Sequence, residues 1–296
     1  MKTLLFIVNP YAGMRRVNRY LSDIVSVFNH AGYEVVIYMT AGEGDGTTIA
    51  EARAKDVDLV VCAGGDGTFN EVLTGILHSG CKTPIGYIPC GSTNDFGASL
   101  GLSVNVVQAA KDIVNGEEMH YDVGKFGNRY FSYVASFGAF TRASYSTPQS
   151  VKNALGHTAY LLEGIQELSQ LRTEHVRMEI GDLVIEDDFL FGAVSNSTSV
   201  GGILTLDPKQ VNLGDGLLEL LLVRAPRDLT ELSECIRALR TQRYNCGMIT
   251  FMSAPKLRIL TNGEMPWSLD GERAEGSREI MVENLHLAMR MIVRKS

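Results

Sequence analysis

Hydrophobic residues in the first part of the chain form short continuous runs. These runs alternate with segments in which apolar residues recur every three or four positions. The continuous runs predict buried strands and are found at Leu4–Val8, Val35–Tyr38, Leu59–Cys62 and Ile85–Ile88. Between these runs, apolar positions spaced at three and four residues predict helices around residues 17–28, 47–55 and 104–114. Alternation of strand and helix is typical of a doubly wound parallel sheet, which binds ligands at the carboxyl ends of its strands. We therefore predict an α/β domain over residues 1–122.

After residue 122 the pattern changes to short alternating or β-rich runs. They predict strands at Tyr130–Val134, Val176–Ile180, Leu183–Ile185, Phe189–Val194, Leu217–Val223 and Lys256–Leu260. Two helical segments interrupt these strands, at about 154–171 and 229–239. Many short strands in succession are typical of an antiparallel β domain, and we place this second domain at residues 123–286.

Composition and charge restrict the partners of the chain. Its 296 residues carry a formal net charge of −7, which argues against a general nucleic-acid-binding protein because such proteins present a basic surface. The five cysteines are far apart and form no C-x-x-C pair, so reduced thiols are favoured over disulfides. The apolar run near the amino terminus is too short for a signal sequence or a membrane span. We expect a cytoplasmic protein without a nucleic-acid partner, whose contact with membranes is peripheral.

The most informative segment joins the third predicted strand to a helix. It reads Gly64-Gly65-Asp66-Gly67-Thr68-Phe69-Asn70. Glycines permit close approach of the backbone and a helix N-terminus attracts anions, so this segment is suited to phosphate. It matches neither the Walker A pattern nor the dinucleotide-binding glycine pattern. An ordinary strand-to-helix turn is the alternative, although such a turn usually needs one glycine rather than three.

A second polar cluster follows the fourth predicted strand. Ser92, Thr93, Asn94 and Asp95 occur there in succession. One of them would be enough to cap the helix that follows, and a plain N-cap is the alternative interpretation. Four in a row indicate instead that Ser92 or Thr93 binds a phosphate and that Asp95 holds Mg²⁺ or a bound water.

Three further segments are open to two interpretations. Trp267–Glu272 contains an Asp-Gly pair, which is typical of a tight hairpin turn, and the glycine-rich acidic segment Asn212–Leu217 also favours a hairpin turn over a metal loop. Asn9 ends the first strand and is followed by Arg15 and Arg16. These arginines either bind a phosphate or are solvated at the start of a helix.

Four of these elements, in this order, resemble the diacylglycerol kinase catalytic-domain family, in particular its bacterial soluble lipid kinases. They are Asn9-Pro10 with Gly13, the loop Gly64–Asn70, the cluster Gly91–Phe96 and the motif Asp270-Gly271-Glu272. The resemblance spans essentially the whole chain. It implies a parallel, doubly wound nucleotide-binding α/β domain of the NAD kinase and diacylglycerol kinase type, then a mainly antiparallel β-sandwich domain. It also implies that residues 287–296 return to the first domain, with ATP as donor and Mg²⁺ as cofactor.

The resemblance further implies roles for individual residues. The positions it places at the nucleotide are Asn9, Arg16, Thr40, Gly64, Gly65, Asp66, Gly67, Thr68, Asn70, Ser92, Thr93 and Asp95. The acidic residues Asp66, Asp95 and Asp122 match a network of Mg²⁺ and water, and Glu272 matches the general base. A structural Mg²⁺ site of some members is matched by Asp215 with the carbonyl groups of Asn212 and Leu217.

The chain departs from the family pattern in two places. Met14 occupies the position after Gly13 where many members have a lysine, so Arg15 or Arg16 has to replace it. The segment at residues 136–141 lacks a Gly-x-Asp pattern. Both departures concern the details of phosphate or substrate contact.

We therefore expect a lipid kinase that transfers the γ-phosphate of ATP to the hydroxyl group of diacylglycerol or a related lipid alcohol at a membrane surface. An NAD-kinase-like enzyme and a catalytically silent lipid- or nucleotide-binding regulator are the alternatives. Asn94–Phe96 and Asp270–Glu272 favour the lipid branch over NAD kinase, and the presence of Asp66, Asp95 and Glu272 argues against a silent protein. By analogy with the family, a homodimer is compatible with the chain.

Overall fold

The computed structural model describes residues 1–138, 172–200, 204–206, 211–241, 243–244 and 246–295. The chain divides into two compact units, of which the first comprises residues 1–121 and 287–296 and the second comprises residues 122–286. Both boundaries fall inside strands. The helix predicted at 154–171 lies outside the described residues. Within them, no helix is long and apolar enough to cross a membrane.

The first unit is a parallel sheet whose strands alternate with helices. Its strands are β1 (Lys2–Val8), β2 (Tyr33–Met39), β3 (Leu59–Gly64), β4 (Ile85–Pro89) and the end of β17 (Glu279–Val293). Its helices are α1 (Arg16–His30), α2 (Asp45–Arg53), α3 (Asp66–Ser79), α4 (Asp95–Ser99) and α5 (Val106–Asn115), with short 3₁₀ turns at Ala12–Arg15 and Ala54–Asp56. The strand order is β2-β1-β3-β4-β17, and each pair is parallel.

The strands β1, β3 and β4 of this sheet are apolar because both of their faces are covered. Every residue of β3 is buried. On one face, Phe28 of α1 packs against Phe6 of β1 with their ring centroids 6.0 Å apart, and Ile113 of α5 joins the same core. Complete burial of such side chains contributes about 1.5–3 kcal/mol each. The continuous hydrophobic runs at β1, β3 and β4 therefore correspond to strands buried on both sides, whereas the edge strand β2 leaves Ile37 and Tyr38 exposed.

The second unit is built from antiparallel strands. They are the end of β5 (Glu117–Phe126), β6 (Arg129–Phe131), β7 (Val134–Gly138), β8 (Glu174–Ile180), β9 (Leu183–Ser195), β10 (Ser199–Val200), β11 (Leu204–Thr205), β12 (Leu218–Arg224), β13 (Ile249–Ala254), β14 (Lys256–Leu260), β15 (Trp267–Leu269), β16 (Glu272–Ala274) and the first part of β17. Its described helix is α6 (Leu229–Thr241). The strand order is β16-β15-β7-β9-β8-β14-β17, and β12 pairs with β9 and β13.

Residues 183–185 and 189–194 were predicted as two strands, but they form the single strand β9. Its first half pairs with β8 and its second half pairs with β7 and β12. The interruption in the hydrophobic pattern is Glu186–Asp188, whose residues are exposed while their backbone stays in register with β8. Backbone pairing does not require apolar side chains, so the change in pattern marks a change in burial rather than the end of a strand.

The core of the second unit surrounds Trp267 of β15. Its side chain is fully buried, and its ring lies 4.8 Å from that of Phe126 and 4.9 Å from that of Phe137, measured between centroids. Aromatic pairs at this separation add about 0.5–1.5 kcal/mol beyond the burial of their surface. Trp267 thus anchors β15, and the Asp-Gly turn begins directly after that strand.

We expect the substitution Gly75→Ala to destabilise the first unit. A Cβ atom there would lie 2.4 Å from the carbonyl oxygen of Thr47 and 2.7 Å from Cβ of Ala50, so α2 would have to move away from α3. The gain in helix propensity is about 1 kcal/mol, and overpacking typically costs about 1–3 kcal/mol, so we expect a net loss of about 1 kcal/mol.

Urea unfolding followed by circular dichroism, with hydrogen exchange across α2 and α3, measures this loss. Gly247→Ala is the control, because a Cβ atom at Gly247 would meet no atom within 4 Å. An increase in the stability of the Gly75 variant would show that the two helices are not in close contact.

Candidate functional site

In the first unit, the glycine loop Gly64–Asn70 connects β3 to α3 as predicted. Asp66 is the first residue of α3, and Gly65 precedes it in an extended conformation. The first N–H groups of a helix have no partner within the helix, and they carry partial positive charge. The fourteen-residue helix α3 therefore begins directly after two glycines, at the carboxyl edge of the sheet.

The loop after β4 lies directly against the glycine loop. The carbonyl oxygen of Gly64 accepts hydrogen bonds from the backbone N–H groups of Cys90 (2.9 Å) and Gly91 (3.1 Å). A Cβ atom on Gly91 would lie only 2.4 Å from Cα of Gly65. Only glycine at position 91 allows this approach, because it has no Cβ atom. The two loops therefore meet through their backbones.

The loop after β1 is joined to the same two loops. The side-chain amide of Asn9 donates to Oγ1 of Thr68 (3.0 Å). Gly13 has a φ of 47°, and a Cβ atom on it would overlap the carbonyl oxygen of Cys90 at 1.7 Å. The predicted nucleotide residues Asn9 and Thr68 are thus in direct contact, and the glycines of three loops meet.

Asp66 is nearly buried at the start of α3, with 9% of its surface exposed. Its Oδ2 accepts a hydrogen bond from the backbone N–H of Asp95 (2.8 Å), and the hydroxyl of Tyr87 lies 3.4 Å from Oδ1. Burial, and then the charge of Asp66, raise the pKa of Tyr87 well above its usual range, so the hydroxyl stays a donor. The structure therefore brings the predicted acidic residues Asp66 and Asp95 together.

The remaining predicted nucleotide residues occupy different environments. Thr40 is buried at the end of β2, where its N–H donates to the carbonyl oxygen of Val8 (2.9 Å). Ser92 and Thr93 are exposed. Arg15 adopts a left-handed conformation, with a φ of 61°, and its guanidinium lies 5.6 Å from the ring centre of Tyr11. Arg16 begins α1, but its side chain is outside the described part of the structure.

In the second unit, Asp270 and Gly271 form the two-residue turn of a β15–β16 hairpin. Their φ values are 50° and 85°, and Leu269 pairs with Glu272 across the turn. Consecutive positive φ angles are characteristic of a type I′ turn, which explains the Asp-Gly pair. The hairpin interpretation is therefore correct for the backbone and is compatible with a functional role for the side chains.

Asp270 is not solvated, because only 5% of its surface is exposed. Oδ2 accepts hydrogen bonds from the N–H (2.6 Å) and hydroxyl (2.8 Å) of Ser132, and Oδ1 accepts from the N–H groups of Tyr133 and Val134 (both 3.0 Å). Burial raises the pKa of Asp270, and these four hydrogen bonds oppose the rise. Asp270 thus attaches the hairpin to the segment between β6 and β7.

Glu272, the predicted general base, is the first residue of β16 and its side chain is 45% exposed. Its Oε2 lies 3.8 Å from Nη2 of Arg129, and Nη1 of the same guanidinium donates to the carbonyl oxygen of Arg273 (3.2 Å). The contrast with Asp270 is one of burial. The buried carboxylate two residues earlier fixes the hairpin, and the exposed carboxylate is accessible to a substrate.

Asp122 is completely buried, and its carboxylate contacts residues of the second unit that are far away in the sequence. Oδ2 accepts from the N–H of Gly216 (2.7 Å) and the amide of Asn284 (2.9 Å), and Oδ1 lies 3.0 Å from Nδ1 of His286. These contacts give Asp122 a structural role in addition to the role in the Mg²⁺ network that the family resemblance implies.

The predicted structural metal residues occupy the turn before β12. Oδ1 of Asp215 accepts from the N–H of Leu217 (3.0 Å), and Oδ1 of Asn212 accepts from the N–H of Gly214 (3.2 Å). The carbonyl oxygen of Leu217 accepts from Asn284 (2.9 Å). Across the described residues, no three His, Cys, Asp or Glu side chains form a metal-binding group. Because Mg²⁺ usually keeps several waters and uses few carboxylates, this oxygen-only set still fits the ion.

Glu219 of β12 was not identified from the sequence, although a single carboxylate inside the run Leu217–Val223 is a visible signal. It is 1% exposed, and among the described residues its Oε2 has no hydrogen-bond partner. Burial, followed by the charges of Asp215 and Asp122, raises its pKa to about 8. A buried oxygen without a protein partner is costly, so a water or a cation would stabilise Glu219.

Two sequence comparisons bear on the identity of the chain. Residues 3–126 match the family model of the diacylglycerol kinase catalytic domain, and residues 134–292 match that of the YegS C-terminal NAD kinase beta sandwich-like domain. A diacylglycerol kinase of Bacillus subtilis (strain 168) is 33% identical over 278 residues, which cover 92% of this chain and 90% of that protein. The chain belongs to the diacylglycerol kinase catalytic-domain family.

Further relatives agree with this membership. A diacylglycerol kinase of Staphylococcus haemolyticus (strain JCSC1435) is 34% identical over 273 residues, covering 92% of this chain and 82% of that protein. Two solved structures from Bacillus anthracis str. Sterne have TM-scores of 0.81 and 0.75 at 26% and 25% identity, and cover 99% of this chain and 95% and 97% of theirs. The second is a diacylglycerol kinase. These matches confirm the predicted family, the two-part fold class and the enzyme class, a lipid kinase.

We expect Asp270→Asn to destabilise the second unit. Asparagine replaces one acceptor oxygen by an NH₂ group, which cannot accept the hydrogen bonds that Oδ1 or Oδ2 receives. Because a buried hydrogen bond to a charged group is worth about 1.5–3 kcal/mol, we expect a loss of at least about 2 kcal/mol.

Trp267 is the only tryptophan of the chain, so its fluorescence during urea unfolding measures this change. Asp182→Asn, at an exposed position in the turn between β8 and β9, is the matched control. A shift below about 0.5 kcal/mol, the range of ordinary surface substitutions, would show that Asp270 does not hold the hairpin.

Proposed function

We propose that this member of the family is an ATP- and Mg²⁺-dependent kinase that phosphorylates the hydroxyl group of diacylglycerol or a related lipid alcohol. The observation that carries the proposal is the hairpin Asp270–Glu272, in which a buried carboxylate fixes an exposed one. The glycine loop alone would also suit a kinase with a soluble acceptor. The curated relatives that cover most of this chain are diacylglycerol kinases, and this supports a lipid acceptor.

The phosphates of ATP would bind to the glycine loop of the first unit. Backbone N–H groups of Gly65–Thr68 and the N-terminus of α3 supply donors and partial positive charge. Asn9 would contribute its amide, and Ser92 and Thr93 their exposed hydroxyls. The glycines that meet here exclude Cβ atoms, so phosphate oxygens can approach the backbone directly.

In the second unit, Asp215 is proposed to hold a separate, structural Mg²⁺ together with the carbonyl groups of Asn212 and Leu217. In the first unit, Asp66 and Asp95 are proposed to hold the Mg²⁺ that accompanies ATP, directly or through water. When bound, Mg²⁺ neutralises the charge that develops on the β- and γ-phosphates. Asp66 is suited to this task because its carboxylate is held in place by the N–H of Asp95. Its position at the N-terminus of α3 also stabilises its negative charge.

Glu272 is proposed as the general base. As the hydroxyl oxygen of the acceptor bonds to the γ-phosphorus, the bond between that phosphorus and the β–γ bridging oxygen breaks and ADP leaves. The proton of the hydroxyl group goes to the carboxylate of Glu272. A positioned base of this kind typically contributes about 10²–10⁴-fold to the rate. The acceptor is a membrane lipid, so we propose a cytoplasmic enzyme that contacts the bilayer surface peripherally.

Transfer of ³²P from ATP to a panel of lipids in detergent micelles tests the proposal. The panel contains diacylglycerol, other lipid alcohols and, as a soluble acceptor, NAD. We expect labelling of diacylglycerol or a related lipid, and we expect Glu272→Gln to lower kcat at least about 10²-fold with little change in the affinity for ATP.

Glu275→Gln is the matched control, because Glu275 is an exposed glutamate just after β16. Labelling of NAD alone would identify an NAD-kinase-like enzyme. ATP binding without labelling of any acceptor would favour a silent regulator, and near-normal turnover by the Glu272 variant would remove that residue from the mechanism.

We expect Asp66→Asn to impair the use of Mg·ATP. Asparagine keeps the size of the side chain but removes the charge that would attract the ion, so kcat/KM for Mg·ATP should fall at least about tenfold. Titration of activity with Mg²⁺ at fixed ATP measures the effect. Asp23→Asn on the exposed face of α1 is the control, and an unchanged Mg²⁺ dependence would contradict the role of Asp66.

A further inference from the structure

Two carboxylates accept hydrogen bonds from backbone N–H groups of the segment that leads from β2 into α2. Oδ2 of Asp45 accepts from the N–H groups of Ala41 (2.6 Å) and Gly42 (3.1 Å). Oε1 of Glu71 accepts from Gly44 (2.9 Å) and Oε2 of Glu71 accepts from Gly46 (3.0 Å). Asp45 acts within its own segment, whereas Glu71 belongs to α3.

The contact made by Glu71 is closely fitted. A Cβ atom on Gly46 would lie 2.7 Å from Oε2 and 3.0 Å from Cβ of Glu71, so a larger residue at position 46 would displace the carboxylate. The hydroxyl of Thr47 adds a third bond, donated to the carbonyl oxygen of Glu71 (3.0 Å). Hydrogen bonds from N–H groups to a carboxylate are stronger than those to a neutral acceptor.

Glu71 connects two parts of the proposed nucleotide site. It follows Asn70, the last residue of the glycine loop, in the first turns of α3. The segment it holds begins directly after Thr40, the nucleotide residue at the end of β2. A short loop between a strand and a helix has few backbone partners of its own, so such an external anchor limits its conformations.

We propose that Glu71 is a positioning residue for nucleotide binding, which sets the segment after Thr40 against the glycine loop. The inference rests on the proposed function, because it assumes that both parts contact ATP. Each oxygen of Glu71 accepts a backbone N–H, so the carboxylate acts through the segment rather than as a base or a phosphate ligand. Its loss should weaken ATP binding and leave phosphoryl transfer largely intact.

The test compares Glu71→Gln, Glu71→Ala and Gly46→Ala with the wild-type enzyme. Glutamine can accept a hydrogen bond from only one of the two N–H groups. The Gly46 variant keeps Glu71, but the added Cβ atom displaces its carboxylate. We expect KM for ATP and the calorimetric Kd for ATP to rise about tenfold, the factor that corresponds to one such hydrogen bond. The kcat value and KM for the lipid acceptor should stay within about twofold, because the carboxylate touches neither reacting group.

Hydrogen exchange of the peptide that contains residues 41–48 reports on the contact without any catalytic step. We expect faster exchange in all three variants, and thermal unfolding shows whether each is folded. Glu51→Gln, on an exposed position of α2, is the matched control.

Unchanged ATP affinity in the folded variants would overturn the inference, as would a fall in kcat without a change in KM for ATP. Unchanged hydrogen exchange would also overturn it, since the contact would then not hold the segment. Failure of wild-type protein to bind ATP would reject the proposed function itself. If the wild-type protein binds ATP and none of the three variants binds it more weakly, only the role of Glu71 is rejected.

Discussion

The carbonyl oxygen of Gly64 accepts hydrogen bonds from both Cys90 and Gly91, and the organisation of the first unit depends on this contact. It brings the backbone after β3 and the backbone after β4 together at a separation that excludes any Cβ atom between Gly65 and Gly91. The loop after β1 then closes on the pair through Gly13 and Asn9. A surface made of backbone N–H groups and one helix N-terminus is the result, and such a surface favours anions.

Three buried or half-buried carboxylates join segments that are far apart in the described part of the chain. Asp270, Asp122 and Glu71 each accept hydrogen bonds from backbone N–H groups or amides of segments far away in the sequence. A carboxylate offers two acceptor oxygens and no donor, so one side chain can satisfy several N–H groups that no strand or helix pairs. Residues that look catalytic because they are acidic are therefore partly architectural. Glu272 differs, because the structure leaves its carboxylate exposed beside Arg129.

The fold class was predictable because its signals are local. The strands β1, β3 and β4 appear as continuous apolar runs since both of their faces are buried, and the glycine loop marks the change from β3 to α3. The prediction was wrong at β9, where exposed acidic residues interrupt the hydrophobic pattern but not the backbone pairing. In the site, Asp66 and Glu272 were found through motifs. Tyr87 and Glu219 were not, because each lies inside a strand and acquires its role only from residues on other elements.

The sequence by itself determined that the chain is an α/β unit followed by a β unit, since the hydrophobic period is a local property. It also carried the four motifs whose resemblance indicated a family of lipid kinases, because each motif is a short run of neighbouring residues. It also determined the Asp-Gly turn, which needs only two adjacent residues with positive φ. Only the tertiary structure decided that Asp270 is buried and Glu272 exposed, and that Glu71 holds the segment after Thr40. These outcomes depend on donors 24 or more positions away in the chain, and no local pattern shows which N–H groups will be left without a partner.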